Sequence, residues 1–581
     1  QEAAATLCAG ARAENVTTAD TGGVRRSLGA PITTSASFAK TAIDDIVARQ
    51  RGLILELESM AVLYPVESVR LLRTCGVRKS QHLLGLVAPE LVGPSMAELD
   101  EGVRRVALAA LAPELVAHSA LPPAALGQLC ALRARTTRQL ALPQEFGGGD
   151  LPSMERLRNV AHVAANADTV PLLIERLSED DVYAPVVAEL RRGAQSHLPW
   201  AVAMRDAREA VRAEFAAALP PGIEAVLVAT ACPAVAPPGD RLGAPPPLTR
   251  AARLRTAEPE RPPELAPVGV ICAGDDVSAC PGLLSAGARW MAIHDFAAIW
   301  RTSDDMSRAR LGACAGQARA ASPLHVPSAS MAERYLGADV FRATGRRWLG
   351  LSPQGIEALL RCGACGQPFE DASPQARTAH LAACNAAARP SRARGAAKLP
   401  TYHGPSRAVE LALRDCCEEA GFYAECQTDD LIEGTQERPA DVMVWGGTQA
   451  VALDVVITHL NTAAHQTSAA RHPGQPVEAA AGIKRTKYRD KLVPGLQFVP
   501  FAMDDFGHFG DTAVAFLDQL AVHAAARQAD DYRQGRDAAT RRSFWLAKWQ
   551  ERLAWAVHTG IDDSLQRRLD HSRRLSRRDV G

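Results

Sequence analysis

Between residues 38 and 218 apolar positions recur every three or four residues, in runs separated by short polar or proline-containing breaks. That period predicts a succession of amphipathic helices. Pro113-Glu114-Leu115-Val116-Ala117, for example, follows a run rich in Val, Ala and Leu and precedes a break at Leu121-Pro122-Pro123. Ten prolines between 233 and 267 predict an extended linker, and helical periodicity resumes over 283–360. After residue 402 the pattern changes: helix (405–420), strands (422–426, 440–445, 449–458), helix (477–492), strand (496–502), helix (512–526) and a terminal helix (543–568) with an arginine-rich end. The expected fold is therefore multi-domain, a mostly α-helical N-terminal region followed by a small α/β domain. The expected boundaries are 1–230 helical, 231–268 Pro-rich linker, 269–355 helical connector, 356–388 Cys/His segment, 389–402 basic linker, 403–530 α/β domain, and 531–581 C-terminal helix and basic tail.

Composition adds little to that division. The 581 residues carry 65 basic and 65 acidic side chains, so any nucleic-acid binding has to come from local patches rather than from net charge. Aromatic residues make up only 5%, and abundant alanine favours helices with small-residue packing. Thirteen cysteines without dense, even spacing predict a reducing compartment, nuclear or cytoplasmic. No run approaches the ~20 apolar residues of a membrane span, so no membrane partner is expected. The chain begins with Gln1 and shows no secretory leader, which suggests a fragment of something longer.

Two constellations carry chemistry. Cys362-x2-Cys365, fourteen residues, then His380-x3-Cys384 has zinc-site spacing. Two thiolates from a knuckle turn, with His and Cys one helical turn apart, can close a tetrahedron around a structural Zn2+. The second is a pair of acids on adjacent predicted strands, Asp441 and Asp454, joined through the turn residues Trp445-Gly446-Gly447. Asp454 stands alone among Ala, Leu, Val and Ile, a costly place for a carboxylate unless it is paired or metal-bound. Together the two acids could hold Mg2+ or Mn2+. Phosphodiester hydrolysis also needs a cation against the developing phosphate charge. Lys487, on the following helix, is the candidate for that role, with Lys484 one turn earlier as an alternative. His403 and Glu410 are accessory candidates, although Glu410 lies four residues from Arg414 and could simply form a surface pair with it.

Other signals are weaker. Gly147-Gly148-Gly149 lacks the Gly-Lys-Ser/Thr of a phosphate loop, and the pairs Asp44-Asp45, Asp304-Asp305 and Asp504-Asp505 lack the aromatic of a polymerase metal site. The terminal arginines 567, 568, 573, 574, 577 and 578 suit phosphate contacts or a solvated tail.

The C-terminal half resembles the end of the polyproteins of non-LTR retroelements, where a zinc knuckle follows the reverse transcriptase and precedes a PD-(D/E)XK nuclease. The matching residues are the finger at Cys362, Cys365, His380 and Cys384, then His403-Gly404, Arg438-Pro439-Ala440-Asp441, Asp454 through His459, Lys487-Tyr488, and Phe498-Val499-Pro500-Phe501 leading to Phe506-Gly507-His508-Phe509-Gly510. Upstream, Leu28 to Ile32, Leu71 to Cys75 with His82-Leu83-Leu84, and Gln139 to Pro143 look like the region after a reverse-transcriptase palm, akin to its thumb. The resemblance implies a restriction-endonuclease-like domain that nicks target DNA for target-primed reverse transcription, with DNA and the element's RNA as partners. It implies no polymerase activity from this chain, since the palm motif is missing. Two departures are the Pro-Ala-Asp in place of Pro-Asp, and Val456 where such nucleases often carry lysine. The alternative expectation is a decayed or domesticated copy that binds nucleic acid without cutting.

Overall fold

The computed structural model describes residues 25–580 except 28–29, 33–35, 78–80, 117–122, 145, 193–194, 198, 216–282, 316–336, 354, 363–364, 371, 385–404, 427–439, 448, 461, 463, 489–490, 494 and 528–537. The Pro-rich and basic linkers, His403, Arg438 and Pro439 lie outside the described residues. The described residues divide into two compact units, the first from those in 25–143, 150–215 and 283–297, the second from those in 144–149 and 298–580.

The first unit is a helical assembly preceded by a short hairpin, β1 (Arg25–Ser27) with β2 (Ala30–Ile32). Helices Ala36–Ala61, Pro89–Leu111 and Met154–Leu177 build its core, with alanine and valine letting them approach closely. Asp100 is buried and accepts hydrogen bonds from the Ser153 hydroxyl and the backbone N–H groups of Met154 and Glu155. A carboxylate there satisfies the orphan donors at the start of the Met154–Leu177 helix.

The second unit contains a four-stranded mixed sheet in the order β3 (Tyr423–Cys426), β4 (Val442–Trp445), β5 (Ala450–Thr458), β6 (Leu496–Asp504). The first three strands are antiparallel neighbours, and β6 runs parallel to β5. A parallel pair requires a crossover, and helix Gln475–Tyr488 supplies it. Side chains alternate between two covered faces. Val442, Val444, Leu453, Val455, Val499, Phe501 and Met503 face one core, shared with helices Pro405–Ala420 and Asp511–Arg527 and with the long last helix, Ala538–Val580. Val456 and Ala502 face the other way, against Val477 and Ala481 of the crossover helix. Burial on both faces explains why Ala450–Thr458 reads as a nearly continuous apolar run.

Phe501 is fully buried and meets Phe509 and Phe516 edge-on at 6.2 and 6.4 Å. Phe501→Ala is expected to remove about 3–5 kcal/mol from the unfolding of the second unit, measured as a lowered urea midpoint.

The predicted helix at 405–420 has those bounds in the structure, while the last helix is longer than 543–568 and extends through the arginine-rich segment. The disordered tail expected as one alternative is therefore corrected for residues up to 574, which are helical, with Arg567 and Arg574 exposed on the helix. Arg568 donates to the Leu381 carbonyl, and Arg574 donates to the Asp570 carbonyl within the helix. Gly147 has φ +73°, and a Cβ there would lie 2.9 Å from that of Cys314, so the Gly147-Gly148-Gly149 segment is a close-packed turn. Asp304 is the N-cap of helix Asp305–Cys314, accepting from the Ser307 N–H. Among the described residues no helix is long and apolar enough to cross a membrane.

Candidate functional site

In the Cys/His segment, the Cys362 carbonyl accepts the Gly366 N–H and the Cys362 N–H donates to the Gln367 carbonyl, folding a tight knuckle. Gly366 takes φ +76°, which a side chain would resist. Helix Pro374–Ala383, capped by the Ser373 hydroxyl, then brings His380 and Cys384 back over the knuckle. The four candidate ligand atoms lie within 4.8 Å of one another, with Cys362 Sγ 3.9 Å from Cys384 Sγ and Cys365 Sγ 3.2 Å from His380 Nε2. A zinc tetrahedron with Zn–S bonds of ~2.3 Å has S···S edges of roughly 3.8 Å, so this Cys3His cluster can hold zinc. Among the described residues, Ile356, Leu359, Phe369 and Leu381 join Cys362 and Cys384 in the local core, Ala372 packs against it, and Leu565 and Leu569 of the last helix complete it. With an ion bound, these four ligands would fill a tetrahedral coordination sphere.

The acid pair is built by the β4–β5 hairpin. Register pairs Val442 with Leu453, so the next positions outward, Asp441 and Asp454, stand directly opposite on the face away from the main core. Gly446, with φ +110°, turns the chain between the strands. The Asp441 N–H donates to the Leu453 carbonyl at 2.8 Å, and its Oδ2 accepts the Val455 N–H at 2.8 Å. The two carboxyl groups stand opposite each other across the strands and each acts on the other's titration.

Burial is the largest influence on both acids. It pushes Asp441 up to about 6, helped by the neighbouring Asp454 charge and opposed by the Val455 N–H. Asp454 is raised as well, by burial, against the pull of Lys484. Lys484 Nζ lies 3.0 Å from Oδ1 of Asp454 and 2.9 Å from Oδ2. Only the Oδ1 contact has hydrogen-bond geometry, so Oδ2 is a buried carboxylate oxygen that accepts no hydrogen bond.

Lys484, and not the expected Lys487, bonds Asp454, while the Lys487 charge acts on that acid from farther off. The Lys487 ammonium bonds the Tyr488 hydroxyl at 2.8 Å and sits 4.5 Å from that ring's centre. The reason is helical phase: Lys484 and Tyr488 lie one turn apart and face the sheet, whereas position 487 is rotated toward solvent. Glu410 is buried and paired with Arg407 at 2.8 Å, which corrects the expected surface pair with Arg414. Arg414 instead pairs with Asp415 and Glu418.

Asp504 is fully buried, receives the N–H groups of Phe506 and His508, and is pushed well up by burial. It organises the turn after β6. The Asp505 carbonyl of that turn is held by Arg347, which also binds Asp562 at 3.1 Å and His558 Nδ1 at 2.9 Å. The sequence carries no local sign of this buried network, because its members come from three distant segments.

The raised Asp441 has a stability consequence. Between its ordinary value of 3.8 and about 6 the native state binds more proton than the unfolded chain, so Asp441 costs stability increasingly as pH rises through that window. The cost is absent below about pH 4 and complete above about pH 6. Asp441→Asn is therefore expected to raise the unfolding free energy by on the order of 2 kcal/mol at pH 7.5 without added divalent ion, and by little at pH 4. Paired urea titrations would show this, and an equal effect at both pH values would refute it.

No known family model matches the chain, and no curated protein matches it.

Proposed function

We propose that the second unit carries a metal-dependent DNA endonuclease of the restriction-endonuclease-like kind. The single observation that carries this reading is the cross-strand pair Asp441 and Asp454 with the Lys484 ammonium against it. Two carboxylates, Asp454 buried and Asp441 partly so, face one lysine and leave a net negative site, which suits a hard cation. Asp441 and Asp454 would hold Mg2+ or Mn2+, which supplies charge neutralisation and an activated water.

The chain's own residues do the rest. The Val455 N–H fixes the Asp441 carboxylate, and Lys484 favours the ionised form of Asp454 against the effect of burial. Lys484, in place of Lys487, is the cation for the charge that builds on the phosphate. Glu410 remains an accessory only through its ion pair with Arg407. The reading extends to a retroelement protein that nicks target DNA to prime reverse transcription, in a nuclear or cytoplasmic setting. The zinc-binding cluster beside the nuclease and the helical first unit, read as a post-palm region, support it by order along the chain. The test is Mg2+-dependent conversion of supercoiled plasmid to the nicked form by the full chain, compared with Asp454→Ala.

A further inference from the structure

We infer that Tyr423 and Trp445 form a stacking platform for unpaired bases of the DNA substrate, which rests on the nuclease reading and names the form of DNA that the site takes. Tyr423 pairs with Trp445 across β3 and β4, their rings 5.4 Å apart and tilted by 35°. Ala424 points into the main core, so Tyr423 points to the opposite face, and Asp441, Met443 and Trp445 alternate onto that same face. The platform and the acids thus share one surface, with Trp445 four residues along β4 from Asp441. At the rise of an antiparallel strand this is about 13 Å, roughly four stacked nucleotides at 3.4 Å each.

The crossover helix packs on β5 and β6, so it roofs the half of this face that lies away from β3. On the other half Tyr423 is 64% exposed. An exposed cross-strand aromatic pair also stiffens an edge strand, and that role alone would need no charge beside it. Here the crossover helix ends in exposed Lys487, followed just beyond by exposed Lys491. Leu492 joins Trp445 in the small apolar cluster, which brings the Lys491 turn to the platform. Aromatic faces beside a line of cations suit single-stranded DNA, with bases on the rings and phosphates along the cations. Glu425, also on this face, opposes phosphate over β3 and so directs the backbone to the cationic side.

The test measures binding of the full chain, with Ca2+ in place of Mg2+, to a DNA duplex bearing a single-stranded oligo-dT extension and to the same duplex fully paired. Tyr423→Ala is expected to weaken binding of the extended duplex about 5- to 100-fold, the range of one lost base–aromatic stack, and to leave the paired duplex unchanged. Tyr423→Phe is expected to restore wild-type binding, which separates stacking from a fold defect. Equal weakening on both DNAs, or none on either, would overturn the platform. The nuclease reading fails separately: a nicking activity that ignores Asp454→Ala leaves these binding results standing, and Asp454-dependent nicking with no Tyr423 effect on the extended duplex removes the platform alone.

Discussion

The purified full chain is expected to contain about one zinc ion per molecule, and Cys384→Ser to lose it together with the ordered packing of the Cys/His segment. The expected size follows from how little else holds that segment. Among the described residues its core is four apolar side chains, two cysteines and two leucines lent by the last helix. Burying those apolar side chains is worth about 9–18 kcal/mol gross, which the cost of ordering roughly 29 residues exceeds, so the ~10–16 kcal/mol of a structural zinc decides whether the segment is ordered. Cys384 is buried and faces Cys362 at 3.9 Å, so serine would leave a weaker ligand inside an apolar pocket. The damage should stay local at first. The last helix keeps its contacts with helices Pro405–Ala420 and Asp511–Arg527 through Trp545, Trp549 and Leu553, so the α/β core survives. Elemental analysis checks the metal, and hydrogen exchange over 356–384 checks the packing. Wild-type protein without zinc, or a Cys384→Ser variant that retains it, would reject the site.

Asp454→Ala is expected to lower Mg2+-dependent nicking by about 10²–10³-fold or more, with Lys484→Met close behind and Lys487→Met within a few-fold of wild type. Lys484 is the lysine within 3.0 Å of the acid, and Lys487 is occupied with Tyr488. Removing the Asp454 carboxylate should not unfold the unit, because Lys484 is one-third exposed and its ammonium can turn into water. Loss of activity with a urea midpoint that does not fall would therefore report on chemistry. Nicking that persists in Asp454→Ala would sink the nuclease assignment, and a large Lys487→Met effect would return the cation role to that residue.

Much of the α/β architecture was legible in the residues because its signals are local. Pro405, with its fixed φ, opens a helix, and the glycine-containing turn at Gly446 separates two strands whose side chains alternate. The pairing of Asp441 with Asp454 was legible too, since hairpin register follows from turn length. Lys484 and Lys487 could not be ranked that way. Both lie on one helix three residues apart, and which one meets the acid depends on how that helix is rotated against β5 and β6. Glu410 misled for the same reason: its neighbour at i+4 is Arg414, yet packing buried it beside Arg407. The Tyr423–Trp445 pair was missed because exposure depends on which half of the sheet the crossover helix covers.

The sequence by itself determined the order of elements, the zinc-binding spacing and the two acids on neighbouring strands, all of which are set by backbone geometry within a few residues. Only the tertiary structure decided that Lys484 is the lysine at Asp454, that the zinc segment completes its core with Leu565 and Leu569, and that Arg347 clamps the turn after β6. Those contacts join residues about 30 to 215 positions apart, where burial and packing choose the partner and no local pattern records the choice.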